Sequence, residues 1–166
     1  MADLPRGVID TEVVVLAGAR ITRHVSAAQR HRHRVLRLVV EGRVIPVRSP
    51  QLDQEYVTAL RPRQNSDLVI AFLDRLDKYG QRNYAGLLHH ERAALRDCGY
   101  PLHDEHLIRT AKGVEDVTIV VEEQAILAAA ACVRTSLGLL ILCPEHAAGH
   151  RTGEQLHRLS DWTGEE

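Results

Sequence analysis

The stretch Gly7-Val8-Ile9-Asp10-Thr11-Glu12-Val13-Val14-Val15-Leu16 decides the fold predicted for this chain. Valine and isoleucine dominate it, which is typical of a strand buried on both faces of a parallel sheet. Two acids, Asp10 and Glu12, interrupt the run. An ionised carboxylate is costly to bury unless a cation, a hydrogen-bond donor or water compensates its charge. Asp10 is therefore either a metal-binding acid or the residue at which the strand ends, and this stretch alone leaves both open.

The composition is that of an ordinary globular protein. The chain has 166 residues, 45% hydrophobic and 26% charged, which favours one domain and excludes disordered and collagen-like classes. One Trp, one Phe and four Tyr argue against base stacking on an aromatic sheet. The three cysteines, Cys98, Cys132 and Cys143, have no CxxC spacing, so they predict reduced, mostly buried thiols rather than a disulfide framework or a zinc ribbon.

The charge distribution and the apolar segments give expectations about partners and location. No run of 18 apolar residues occurs and the start lacks a secretory pattern, so we expect a soluble, cytoplasmic protein without a membrane partner. Residues 1–63 carry eleven arginines against six acids. A cluster of five of these predicts contacts with phosphate groups, although a solvated helix face is the alternative. They are Arg20, Arg23, Arg30, Arg32 and Arg34.

The order of strands and helices predicts an α/β domain over residues 1–148, followed by a polar tail at 149–166. Four strands are expected, in residues 7–16, 43–48, 116–121 and 139–143, and Pro46 indicates an edge or a bulge in the second. Helices are expected after Ser26, after Ser49-Pro50 and after Ser66, and again over about 84–97. Strands that alternate with helices in this way form a parallel sheet with helices packed on its faces.

Three further acids lie at strand ends or beside apolar helix stripes. Glu55 is beside Leu52 and Tyr56, and Asp104 begins a helix that carries Leu107 and Ile108. A rim residue and a helix cap are the respective alternatives. Glu123 follows a strand, where open α/β sheets place ligands. Together with Asp10 these carboxylates offer the oxygen ligands of Mg²⁺ or Mn²⁺. Glu12, Glu105 and Glu122 are secondary candidates.

The same residues resemble the motifs of the PIN-domain nucleases, in particular the toxin-like ribonucleases of toxin–antitoxin pairs. Asp10-Thr11-Glu12 is similar to the family's D-T-N, and Ser49-Pro50 with Leu52 to Tyr56 is similar to S-P followed by L-x-x-E-Y. Asp104 to Ala111 resembles D-x-x-F-L-x-x-A, and Ile141 to His146 resembles the closing I-L-T-P-E. The resemblance covers about residues 7 to 148.

This resemblance implies a three-layer α/β/α domain with a mainly parallel sheet, acting as a metal-dependent endoribonuclease. Asp10, Glu55, Asp104 and Glu123 match the catalytic acids, with Mg²⁺ or Mn²⁺ on Asp10, Asp104 and Glu123. RNA is the implied substrate, and an antitoxin protein or a second copy of the chain are further candidate partners. The departures are in four positions: Glu12 replaces Asn, Val121 replaces Thr, Glu123 replaces Asp, and Ala125 replaces a further Asp.

Two other functions stay open at this point. Loss of the Thr at Val121 and of the Asn at Glu12 favours a catalytically weakened PIN-like module that binds RNA or protein, whereas the acids kept at all four positions disfavour it. An unrelated flavodoxin-like regulatory domain with a single acidic pocket would place Asp10 and Asp104 far apart.

Overall fold

The computed structural model describes residues 4–19, 25–60 and 66–148, which form an α/β protein around a five-stranded sheet. The strands are β1 (Arg6–Ile9), β2 (Ile45–Arg48), β3 (Gln81–Arg82), β4 (Val117–Val120) and β5 (Leu140–Leu142). Their order in the sheet is β3-β2-β1-β4-β5, and every neighbouring pair is parallel. Because parallel strands end on the same side, their carboxyl ends form one edge of the sheet.

Helices cover the sheet and complete the three layers that the sequence predicts. They are α1 (Thr11–Ala17), α2 (Ala27–Val40), α3 (Pro50–Leu60), α4 (Asp67–Tyr79), α5 (His89–Asp97), α6 (Glu105–Ala111), α7 (Gln124–Leu137) and α8 (Pro144–Ala148). A short 3-10 turn, Leu102–Asp104, precedes α6. The helix α2 packs against α1, α4 and α8, while α5 packs against α7. The predicted α/β class with a central parallel sheet is confirmed.

The opening apolar run is a strand followed by a helix, not a strand throughout. The strand β1 ends at Ile9, Asp10 caps the next helix, and the valines from Val13 onward lie in α1. Val13 and Val14 are fully buried, as are Val8 and Ile9. Core packing on both sides of Asp10 therefore overrides the strand preference of the β-branched residues.

The sheet contains one more strand than the four that were predicted. The two-residue strand β3 consists of polar residues, so hydrophobic periodicity could not reveal it. It makes β2 an interior strand, yet only Val47 and Arg48 pair with it. Pro46 precedes that pairing and lies opposite Gly7 of β1, so its missing N–H leaves no bond unmade on the β3 side. Pro46 is therefore not on an edge strand, but it lies in the part of β2 that does not pair with β3.

The predicted helix starts are largely confirmed. Ser26 and Ser66 cap α2 and α4, accepting hydrogen bonds from Gln29 N–H at 3.1 Å and from Val69 N–H at 3.3 Å. The helix expected from about residue 84 begins only at His89. The tail expected at 149–166 lies outside the described residues.

The prediction of reduced thiols is wrong for two of the three cysteines. Cys98, at the end of α5, and Cys132, on α7, form a disulfide with their Cα atoms 5.5 Å apart. They are 34 residues apart in sequence, so spacing gave no signal of the packing between their helices. Cys143 is a free, half-buried thiol.

Candidate functional site

Asp10 lies at the carboxyl end of the central strand and caps α1. Its Oδ1 accepts a hydrogen bond of 2.9 Å from the Thr11 N–H, and the residue is only 9% exposed. Burial raises the pKa of Asp10 to about 7, against the opposing effect of the Thr11 hydrogen bond. The negative charges of Asp104 and Glu55 raise this pKa further, as does Glu12. These three acids are therefore close enough to Asp10 to affect its charge.

Glu55 comes from α3, one turn and a half beyond the Ser49-Pro50 start. Its Oε2 accepts a hydrogen bond of 3.2 Å from Thr11 Oγ1 and lies 3.1 Å from His106 Nε2. The His106 side chain is 1% exposed and that of Glu55 is 38% exposed. Glu55 is thus held at one oxygen by side chains from α1 and α6.

Asp104 is the last residue of the 3-10 turn and directly precedes α6, and Glu123 stands between β4 and α7. Oxygens of both carboxyls and a ring nitrogen of His103 all lie within 4.8 Å of one another. His103 Nε2 is 3.0 Å from Asp104 Oδ2, although this buried oxygen accepts no hydrogen bond from the described residues. Burial raises the pKa of Glu123, and its hydrogen bond with Asp104 and the charge of Asp104 raise it further, while His103 opposes the shift.

Two tyrosines hold the backbone beside the acids. Tyr56 donates a hydrogen bond to the carbonyl of Ile9, directly before Asp10. Tyr100 donates one of 2.7 Å to the carbonyl of Asp104. Burial raises the pKa of both phenols, and the charge of Asp104 or of Asp10 raises them further. Both hydroxyls therefore stay protonated and serve as donors at neutral pH.

The donor set suits a hard divalent cation. Asp10, Asp104 and Glu123 offer carboxylate oxygens at one edge, and burial together with the charge of Asp104 raises the pKa values of Asp10 and Glu123. The buried Asp104 Oδ2 without a well-oriented donor is a further unsatisfied acceptor. Oxygen ligands of this kind are those of Mg²⁺ and Mn²⁺. Among the described residues, the group within 4.8 Å is His103, Asp104 and Glu123, and Asp10 is not part of it.

Two of the three secondary candidates, Glu105 and Glu122, are paired with arginines. Glu105 forms an ion pair with Arg92, with 2.8 Å between Oε1 and the guanidinium. Glu122 accepts two hydrogen bonds of 2.9 Å from Arg32. Glu12 is exposed in the first turn of α1. Of these three acids, Glu105 and Glu122 are neutralised by arginines outside the acidic cluster.

Three of the five arginines predicted to contact RNA, Arg30, Arg32 and Arg34, lie on α2. Arg32 pairs with Glu122, which places the first turns of α2 next to the acids after β4. Arg30 is exposed and donates to the Val25 carbonyl at 3.1 Å, and Arg34 is half-buried. Arg20 and Arg23 lie outside the described residues.

Sequence reasoning selected the four acids but missed the side chains that contact them. Thr11 and His106 contact Glu55 across 44 and 51 residues of sequence. Tyr100 and His103 contact Asp104 from the same short segment of the chain. His106 had one signal: it falls within the apolar face of α6, between Asp104 and the buried Leu107 and Ile108. A histidine at such a position is notable, yet its partner Glu55 is 51 residues away.

The fold and site define an α/β protein with an acidic cluster at the carboxyl edge of an all-parallel sheet. Comparison of the chain with protein-family models, curated proteins and solved structures gave no match. In the described part of the chain, none of the helices has the length and apolar character needed to cross a membrane.

Proposed function

We propose that the protein is a metal-dependent endoribonuclease of PIN type, which hydrolyses RNA phosphodiesters with Mg²⁺ or Mn²⁺ held by the acidic cluster. The observation that carries the proposal is the burial of Asp10 next to the charges of Asp104 and Glu55. Like charges confined at a buried strand end repel one another, and a cation among them offsets that repulsion.

Each acid has a role in this proposal. Asp10, Asp104 and Glu123 would hold the ion, which when bound supplies a Lewis acid and lowers the pKa of a coordinated water. Glu55, fixed at Oε2, would orient the attacking water through its other oxygen. Tyr100 would keep the Asp104 backbone in place through its hydrogen bond of 2.7 Å.

The arginines of α2 would hold the RNA backbone next to this cluster. Arg30 is exposed, and Arg32 keeps the first turns of α2 beside Glu122. Arg34, Arg20 and Arg23 complete the proposed set. Because such contacts are with phosphates, binding is expected to weaken steeply with salt and to show little sequence preference.

The experiment that tests the proposal is cleavage of single-stranded RNA with Mg²⁺, with Mn²⁺ and with EDTA. We expect cleavage by the unmodified protein that EDTA abolishes. The double variant Asp10→Ala, Asp104→Ala should lose it, while Glu115→Gln, at an exposed acid away from the cluster, should keep it. Cleavage no better than that of the double variant would refute the nuclease proposal.

A catalytically weakened RNA- or protein-binding module is the second candidate. It is favoured by Val121, which is fully buried after β4 and offers no hydroxyl to the neighbouring acids. Calorimetric titration with Mn²⁺ distinguishes the two, because a binding module has no need of a high-affinity metal site. Absence of metal binding together with retained RNA binding would favour the module.

Partners and location follow from the same proposal. An antitoxin protein or a second copy of the chain would be detected by co-purification and by the mass of the purified protein in solution. Action on RNA implies a cytoplasmic location, where disulfides are uncommon. Alkylation of thiols in freshly lysed cells would show whether Cys98 and Cys132 are oxidised there.

A further inference from the structure

His106 is a deeply buried titratable side chain that contacts the acidic cluster. Its side chain is 1% exposed, and it lies on α6, two residues after Asp104. Its Nε2 is 3.1 Å from Glu55 Oε2. Its Nδ1 is buried and has no hydrogen-bond partner among the described residues. Glu55 is thus the one polar group that the described part of the chain offers to the imidazole.

Two donors meet on the same oxygen of Glu55. Thr11 Oγ1 lies 3.2 Å from Oε2, and His106 Nε2 approaches it from α6. No hydrogen bond from the described residues reaches Oε1, and 38% of the Glu55 side chain is exposed. A carboxylate fixed at one oxygen and open at the other can present the second oxygen to a ligand in a defined direction.

A purely architectural role for His106 explains these contacts less well. The helices α3 and α6 are already joined at Thr110, whose Oγ1 lies 2.7 Å from Ser49 Oγ and 2.6 Å from the His106 carbonyl. A buried ring nitrogen without a partner costs free energy, and an apolar side chain would avoid that cost. The contact with Glu55 therefore explains an imidazole at this position better than the packing of α6 does.

We infer that His106 is a positioning residue, which together with Thr11 holds Glu55 Oε2 and leaves Oε1 to face the water or the cation of the cluster. The inference rests on the proposed function for its chemistry. The geometry that it asserts, a single orientation of the Glu55 side chain, can be measured without metal or RNA.

The test compares His106→Leu, which removes the donor, with His106→Gln, which keeps an N–H. Side-chain NMR of Glu55 in the metal-free protein should report one rotamer in the unmodified protein and in His106→Gln, and an average of rotamers in His106→Leu. His89→Leu, at an exposed histidine of α5, is the matched control and should change nothing. Thr11→Val removes the second donor and carries the same test if His106→Leu does not fold.

Two further measurements connect the rotamer to the chemistry. Loss of a group that orients a metal-site carboxylate typically weakens metal affinity or activity about 10- to 100-fold. We expect His106→Leu to raise the Kd for Mn²⁺ and to lower kcat within that range, with KM for RNA unchanged. His106→Gln should recover most of both.

The outcomes separate this inference from the proposed function. One Glu55 rotamer in both His106→Leu and Thr11→Val would overturn the inference, as would equal losses in His106→Gln and His106→Leu. Rotamer averaging in His106→Leu, in a protein that neither binds Mn²⁺ nor cleaves RNA, would support the positioning role and refute the nuclease.

Discussion

The pKa of Asp10 is raised to about 7 because three properties of its position act together. It follows the central strand, it is buried, and its neighbours Asp104 and Glu55 are acids. The hydrogen bond from the Thr11 N–H lowers the pKa of Asp10, but by less than burial and the neighbouring acids raise it, so folding disfavours the ionised carboxylate. At neutral pH the metal-free site therefore holds a carboxyl that is close to half protonated.

The pH dependence of stability follows from this pKa. The unfolded chain has Asp10 near its ordinary value of 3.8, whereas the folded protein has it at about 7. Between these values the folded state binds the extra proton, so the Asp10 contribution to stability falls as the pH rises from about 4 to 7. At roughly 1.4 kcal/mol per pKa unit, the loss is at most about 4 kcal/mol.

The substitution Asp10→Asn should remove that loss. Asn stays neutral and can still cap α1, so we expect Asp10→Asn to be more stable than the unmodified protein at pH 8 in EDTA, and similar to it at pH 4. Urea unfolding at the two pH values measures the difference. Equal stabilities at pH 8 would mean that the carboxylate is already compensated in the folded protein. Mn²⁺ should stabilise the unmodified protein and not Asp10→Asn.

The elements differ in how far the sequence could predict them. Helices with a polar cap and an amphipathic stripe, such as α2 after Ser26 and α4 after Ser66, follow from local chemistry. The strand β3 and the change from β1 to α1 do not, because pairing with β2 and burial of Val13 and Val14 depend on the assembled sheet. The same holds for the site: strand and helix patterns mark its acids, whereas His106 and Thr11 meet Glu55 only in the folded chain.

The arginines on α2 differ in their surroundings: one is paired with an acid and another is exposed to solvent. A functional test should treat the two separately. Arg32 and Glu122 are paired, with 18% and 17% of their side chains exposed, while Arg30 is exposed. Arg32→Ala leaves Glu122 without its charged donor, and we expect it to cost about 1 to 3 kcal/mol of stability. Arg30→Ala should leave stability unchanged and weaken RNA binding, with a smaller salt dependence.

Thermal unfolding and RNA titration at two salt concentrations measure these effects. The matched control is Arg37→Ala, at an exposed residue further along α2. If Arg32→Ala loses RNA affinity without any loss of stability, then Arg32 contacts RNA directly and its pairing with Glu122 is of little consequence.

On the scale of the whole molecule, the disulfide encloses a large part of the candidate site. Cys98 ends α5, and Cys132 lies on α7, so the loop between them contains His103, Asp104 and Glu123. The acids Asp10 and Glu55 lie outside it. The site is therefore formed by two parts of the chain: the amino-terminal part, which supplies Asp10 and Glu55, and the segment between the two joined cysteines, which supplies Asp104 and Glu123.

Removing the disulfide should weaken the fold by an amount set mainly by the loop that it closes. For Cys positions 34 residues apart, the chain-entropy relation gives about 4 kcal/mol at 25 °C. We expect the double variant Cys98→Ser, Cys132→Ser to lose up to that amount in urea unfolding, and dithiothreitol to destabilise the unmodified protein similarly. Cys143→Ser, at the free thiol, should lose little and should remain sensitive to the reductant.

Metal affinity gives this prediction a second readout. Carboxyl oxygens of Asp104 and Glu123 lie within 4.8 Å of each other, and each residue is separated from the disulfide by a short stretch of chain. A looser α5–α7 contact should therefore change the distance between the two carboxyls. We expect the folded double variant to bind Mn²⁺ more weakly than Cys143→Ser does. Equal affinities would mean that the direct packing of α6 against β4 is enough to hold Asp104 and Glu123 together.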